Sequence, residues 1–355
     1  MEKSNQNKDF LQSAQWREFQ QAVGRKNYFI ENDAFSASII EHILPIVGKY
    51  LYSPRGPVIS NFEFRISNEN LILNDKSSDN FKIFAPSLSS GQNSKFEIGI
   101  SSLTDLAKKC NAGWIRIEPE NDQALELIKE NISEKIVKAP HNMQPKEIFV
   151  LDILKTAETL LCEMKTKTRY NIGIAVKKGI KIDYRSAGND NQGEYVEAFL
   201  KLTKEMAERQ GIVAHPDEYY RKMIATLPGE MLRIYVAKYD GKIIAANLVL
   251  FYGNTATYLH GASGSVHRNL MAPFSLQWQA ILDAKEMGCT KYDFGGVKTQ
   301  GENSWQGITT FKLGFSTSTK PIEFPGSYDI IINPRKYAVY RGLQAAKAFA
   351  VRFRK

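Results

Sequence analysis

One lysine, Lys312, stands among large apolar residues in Phe311-Lys312-Leu313-Gly314-Phe315. Upstream, the apolar run Tyr292-Asp293-Phe294 ends in Gly295-Gly296, and the polar stretch Lys298–Gln306 connects the two segments. A cation in partly dry surroundings stabilises an oxyanion as its charge develops. The pattern predicts that Phe311–Phe315 is a returning strand. Lys312 is then either such a cation or a solvated strand residue whose stem packs on Phe311 or Phe315, and the residues alone leave both open.

A second constellation is Lys165–Lys181, with Lys165, Lys167, Arg169, Lys177, Lys178 and Lys181 and no acidic residue. Ordinary protein surfaces mix signs, so this stretch is either a surface for a phosphate-rich partner or a solvated helix face paired with acids elsewhere. The net charge of +9 favours anionic partners in the same unspecific way.

Other chemistries lack their residues. There is no GxSxG elbow, Walker lysine loop or HExxH helix. Cys110, Cys162 and Cys289 form no CxxC pair and no cluster with the five histidines, which suggests neither a metal site nor a disulfide framework. The beginning MEKSNQNKDF lacks the apolar core of a signal peptide, and no apolar run is long enough to span a membrane. A cytoplasmic protein is expected, and a hydrophobic content of 43% in 355 residues allows two domains with sizeable cores.

The elements that must position these residues read as an α/β chain of mixed sheets. Asp9 opens a helix marked by Phe10, Trp16, Phe19 and Val23. Strands follow at Tyr28–Ile30 and Ser36–Ile40, then an extended piece from His42 to Leu51. Arg55 tips the turn Ser53-Pro54-Arg55-Gly56-Pro57-Val58. Asn68–Ser78 and Ser87–Ser94 read as turns and loops, Leu103–Cys110 as helix, and Gly113–Glu118 as a strand stopped by Pro119. Ala139–Pro145 is the candidate crossover. The second half predicts strand Ile148–Ile153, one helix from Thr156 to Lys178, strand Lys181–Arg185 and helices at Tyr195–Arg209 and Asp217–Thr226. Asp240-Gly241 turns a hairpin between Leu232–Tyr239 and Lys242–Tyr252. Strand Thr255–His260, helix Pro273–Met287, strand Lys291–Phe294 and a final helix from Pro334 complete the pattern.

From Asp240 to Gly296 the order hairpin, strand, helix, strand resembles the core of the GNAT acyltransferases. In their coenzyme-A enzymes a Gly-rich loop before the helix holds pyrophosphate. Here that place reads His267-Arg268-Asn269-Leu270-Met271-Ala272-Pro273, without a glycine run and with a proline that lacks a donor. No coenzyme A or other cofactor is therefore expected. Eight segments in order also resemble the FemABX family of peptidoglycan bridge-forming aminoacyltransferases. They are FLQSAQWREFQ (10–20), SPRGPV (53–58), IRIEP (115–119), KTKTRYNIGIAVKKGI (165–180), AERQGI (207–212), YLHGAS (258–263), YDFGG (292–296) and FKLGF (311–315).

The resemblance implies two GNAT-like domains, 1–147 and 148–330, with a basic C-terminal helix, 331–355, packing on the first. It implies transfer of an amino acid from aminoacyl-tRNA to a peptide-stem amine of UDP-muropeptide or lipid II, at or near the inner membrane face. The chain is like the compact members, since Ile212 to Leu232 leaves no room for a long helical arm. By motif, Lys312 would stabilise the tetrahedral centre and Phe311 would shape its pocket. Arg209, Tyr258 and Arg55 would contact the muropeptide or its phosphates. Glu118 would be a substrate-side carboxylate or general base, and Lys165, Lys167, Arg169, Lys177 and Lys178 would face tRNA. Two other readings stay open: a GNAT-type transferase with another acyl donor, and a basic module for RNA or an anionic membrane surface.

Overall fold

The computed structural model describes residues 9–60, 90–188, 193–301 and 304–352, the side chains of 90–93 and 350–352 aside. Contacts gather the chain into two units, Lys26–Gln144 with Phe324–Lys355, and Met1–Arg25 with Pro145–Glu323. This differs from a linear cut at 147 and 330. The N-terminal helix α1 (Ala14–Ala22) belongs with the later unit, because Trp16 and Phe19 are buried in its core.

The first unit opens with strands β1 (Asn27–Glu31), β2 (Phe35–Leu44) and β3 (Gly48–Ser53), paired antiparallel, with the short β4 (Val58–Ile59) against β2. Helix α2 (Ser90–Lys109) precedes β5 (Trp114–Ile117), which runs parallel to β3. The loop expected through Ser94 is thus already helical from Ser90, and Asn68–Ser78 lies outside the described residues. Asn121 caps α3 (Asp122–Glu130) by accepting from the Ala124 N–H, and β6 (Ile136–Lys138) follows. A strand from the C-terminal segment, β14 (Tyr328–Ile331), lies between β5 and β6 and is antiparallel to both. Helix α10 (Pro334–Arg352) then stacks Tyr340 on Trp114, which stacks on Tyr50.

The second unit is a sheet in the order β13-β7-β12-β11-β10-β9-β8. Its strands are β7 (Glu147–Asp152), β8 (Lys181–Ser186), β9 (Leu232–Tyr239), β10 (Lys242–Tyr252), β11 (Thr255–Ser263), β12 (Lys291–Val297) and β13 (Ile322–Glu323). Asp240 and Gly241 both take positive φ, as the predicted β9–β10 hairpin turn requires. Strand β10 is buried on both faces. Ala245, Val249 and Phe251 enter a core with α4 (Ala157–Glu163), α5 (Thr166–Lys177) and α8 (Ala272–Glu286), while Ala246, Leu248 and Leu250 enter the other. That second core is closed by α1, α6 (Gly193–Gln210) and α7 (Asp217–Thr226).

The helix predicted from Thr156 to Lys178 is two helices. Met164 is extended, and the Lys165 N–H donates to Gly314 O. The carbonyls left free at the end of α4 accept from the Arg169 guanidinium, at 3.2 Å for Cys162 and also at Met164. The two units share one plan. In each, antiparallel strands lead through a helix to a parallel neighbour, β3 to β5 and β11 to β12, and that neighbour pairs antiparallel with a strand from elsewhere in the chain, β14 or β7. These are the two GNAT-like domains.

Candidate active site

In the second unit, β11 and β12 pair in parallel only from Thr255↔Lys291 to Thr257↔Asp293. Beyond that point they separate. The Asp293 carboxylate accepts from the Gly295 N–H at 2.6 Å and folds the strand into a tight turn with Gly295 at φ +71°. The register of β12 against β7 shifts between Asp293 and Gly296, the mark of a bulge. A Cβ at Gly296 would lie 2.6 Å from Pro145 Cγ, so this close passage excludes a side chain.

Lys312 reaches this opening from a helix, α9 (Gln306–Leu313), and not from the predicted strand. The segment 305–315 carries Ile308, Phe311 and Phe315 at helical spacing. Ile308 is exposed, but Phe311, Leu313 and Phe315 pack on the core, and that burial overrides the strand preference of the segment's β-branched residues. Lys312 is only 8% exposed. Its Nζ donates to Gly296 O at 2.7 Å and lies 5.8 Å from the centre of the Tyr258 ring. Its two remaining donors have no partner among the described residues. Burial lowers its pKa to about 8, against the raising influence of Asp293. The lysine therefore stays mostly cationic near neutrality, in dry surroundings. Phe311 packs edge-on against Phe274 of α8 at 4.9 Å, and Phe315 against Phe294 at 4.8 Å, so an aromatic layer fixes the helix that carries the cation.

Tyr258 sits where β11 leaves β12, and burial pushes its phenol up to about 12. Its ring bends along the strand to Gly261, where a Cβ would lie 2.0 Å from the hydroxyl and 2.6 Å from Asn247 Oδ1. Arg209 ends α6 and donates to Ser263 O at 3.0 Å and Ser265 Oγ at 2.9 Å. It marks the far end of β11 from Lys312. Lys312, Tyr258 and Gly261 thus gather on one face of the sheet, whereas Arg209 comes from α6 on the other face and reaches the end of β11.

Arg55 and Glu118 lie in the other unit. The Glu118 carboxylate is buried and accepts from Gln144 N and Ser327 Oγ on one oxygen, and from Tyr52 Oη and Arg55 N on the other. These bonds hold the turn at the cis Gly56–Pro57 bond to the strand end, which is the work of a structural carboxylate more than of a base. Arg55 lays its guanidinium 3.7 Å from the centre of the Phe324 ring. Of the basic set, Lys165, Lys167, Lys177 and Lys178 are exposed at α5, whereas Arg169 is engaged in capping α4. Sequence reasoning missed Tyr170, 67% exposed among these lysines, and Asn247, the one polar residue between Ile243 and Phe251. A lone amide inside an apolar strand was the available signal for the second.

The profile of the FemAB family matches residues 135–242 and 235–345, together more than half of the chain. The UDP-N-acetylmuramoylpentapeptide-lysine N(6)-alanyltransferase of Weissella viridescens is 30% identical over 199 residues, which span 55% of this chain and 56% of that protein. The lipid II:glycine glycyltransferase of Staphylococcus epidermidis is 20% identical over 312 residues, 67% of this chain and 73% of that one. The crystal structure of FemX superposes with a TM-score of 0.74 at 19% identity, covering 95% of this chain and 96% of that one. The chain belongs to the FemAB family.

Proposed function

We propose that this protein transfers an amino acid from aminoacyl-tRNA to a peptide-stem amine of a peptidoglycan precursor, UDP-muropeptide or lipid II. The observation that carries the reading is the dry Lys312 cation at the gap between β11 and β12, beside Tyr258. The names of the relatives support the acceptor class. An aminoacyl ester is already activated, so no side-chain nucleophile is needed. The acceptor nitrogen attacks the ester carbonyl carbon and a C–N bond forms. The oxygen of the tetrahedral centre takes up negative charge, which the free N–H donors of Lys312 stabilise. The C–O bond to the ribose then breaks, the nitrogen loses a proton, and the ribose oxygen gains one. The exposed lysines of α5 suit a polyanionic donor. No helix among the described residues is long and apolar enough to cross a membrane.

The test is a transfer assay with a pool of charged tRNA and either UDP-muropeptide or lipid II. Label on one acceptor, lost in Lys312→Ala, supports the reading and chooses the acceptor. Consumption of acyl-coenzyme A in place of aminoacyl-tRNA would replace it with another acyl transfer on the same fold.

A further inference from the structure

Asn247 is 3% exposed, and its Nδ2 is buried without a hydrogen-bond partner. Across the β10–β11 pair it faces Gly261, and Val249 faces Tyr258. Strand alternation puts Asn247, Gly261 and Tyr258 on the face that carries Phe311 and α8. The buried phenols of this face are paired: Tyr292 Oη donates to Gln277 at 2.7 Å, and Tyr235 Oη to Asp283 at 2.8 Å. Asn247 Nδ2 is unpaired, as are Ser275 Oγ and Arg233 Nε, and of these three Asn247 is the one that faces Gly261 across the strand pair. An unmet buried donor is a standing destabilisation. The Tyr258 phenol likewise has no partner among the described residues, and the space at Gly261 holds its hydroxyl and Asn247 Oδ1, so a turn of the amide about its last bond brings Nδ2 to the phenol oxygen.

We propose that Asn247 is a positioning residue for Tyr258. When the phenol donates to an oxygen of the bound muropeptide, its own oxygen accepts from Asn247 Nδ2. The chain N–H to phenol O–H to substrate oxygen polarises each bond in turn and fixes the direction of the phenol proton. This deepens the acceptor half of the proposed function and rests on it.

The experiment is a calorimetric titration of UDP-N-acetylmuramoylpentapeptide into the wild type, Asn247→Leu, Tyr258→Phe and the double variant, with thermal midpoints alongside. Each single variant is expected to bind about tenfold more weakly, about 1.4 kcal/mol. The double variant should bind no more weakly than Tyr258→Phe, because the amide acts through the hydroxyl. The midpoint of Asn247→Leu should not fall, since it removes an unsatisfied donor. Asn247→Asp keeps the shape but draws the phenol proton to its carboxylate, and should also weaken binding. Wild-type affinity in Asn247→Leu, or losses that multiply in the double variant, would overturn the positioning role and leave the proposed function standing. The same titrations are run with lipid II, and a wild type that binds neither acceptor would overturn both.

Discussion

At the scale of the residue, Lys312 is held against its own solvation. Its pKa of about 8 lies below the ordinary 10.5, so the fold disfavours the proton. Stability therefore rises with pH between these values, where the unfolded chain binds a proton that the folded chain does not. Lys312→Met should stabilise the protein by about 1–2 kcal/mol at pH 7 while abolishing transfer, as thermal melts and the transfer assay will show. For activity the sign is opposite: the cation is present below pH 8 and lost above it. With saturating substrates the rate should fall through a limb near pH 8. Lys312→Arg, which stays charged, should lose that limb, and a limb unmoved in the arginine variant would assign it to another group. How much of this site could be read from residues alone is uneven. Lys312 stood out because a cation amid apolar neighbours is anomalous, whereas Phe311 and Tyr258 were marked by the resemblance of FKLGF and YLHGAS to the family's segments. The partners that give Lys312 its character, Gly296 O and the Tyr258 ring, come from β12 and β11. Only the folded sheet brings them together.

At the scale of the element, the proposed donor surface is α5. Lys167, Lys177 and Lys178 share its exposed side with Tyr170 and have no ion pair to an acid among the described residues, whereas nearby Lys155 holds Glu163 at 2.6 Å. Reversing the three charges should weaken RNA binding more than tenfold and lower the salt slope by roughly two to three, measured by anisotropy across salt concentrations. Tyr170→Ala should cost about 1 kcal/mol if a base stacks there. Equal affinity in the reversed variant would remove α5 from the RNA surface. Sequence reading found the helix α6, and the Asp240-Gly241 turn chemistry gave the β9–β10 hairpin. It failed at α5, where Arg169 reads as one more surface cation. Its role depends on the break after α4, and that break depends on Gly314, far along the chain, accepting from Lys165.

At the scale of the whole molecule, the first unit depends on residues that arrive last. Arg116 on β5 grips Asp329 on β14 through two buried bonds of 2.7 and 2.9 Å, and Tyr340 and Tyr337 of α10 complete the network. Asp329→Asn leaves the guanidinium without its counter-charge and should cost about 3 kcal/mol. A second unfolding transition confined to that unit would be the calorimetric sign. Neither β14 nor its place between β5 and β6 was predicted. A four-residue strand has little periodicity, and its partners are set by topology more than by local preference.

This arrangement governs how the chain can be made. A ribosome delivers residues in order, so β5 and β6 emerge long before the strand that joins them. Contacts such as Arg116 with Asp329 span 213 positions and cannot form until residue 329 has left the exit tunnel. The unit from Pro145 to Glu323 can close first, around an N-terminal helix that has been waiting for it. The earlier sheet must meanwhile remain open at two edges, and the nascent chain passes through a stage in which chaperone occupancy decides its yield.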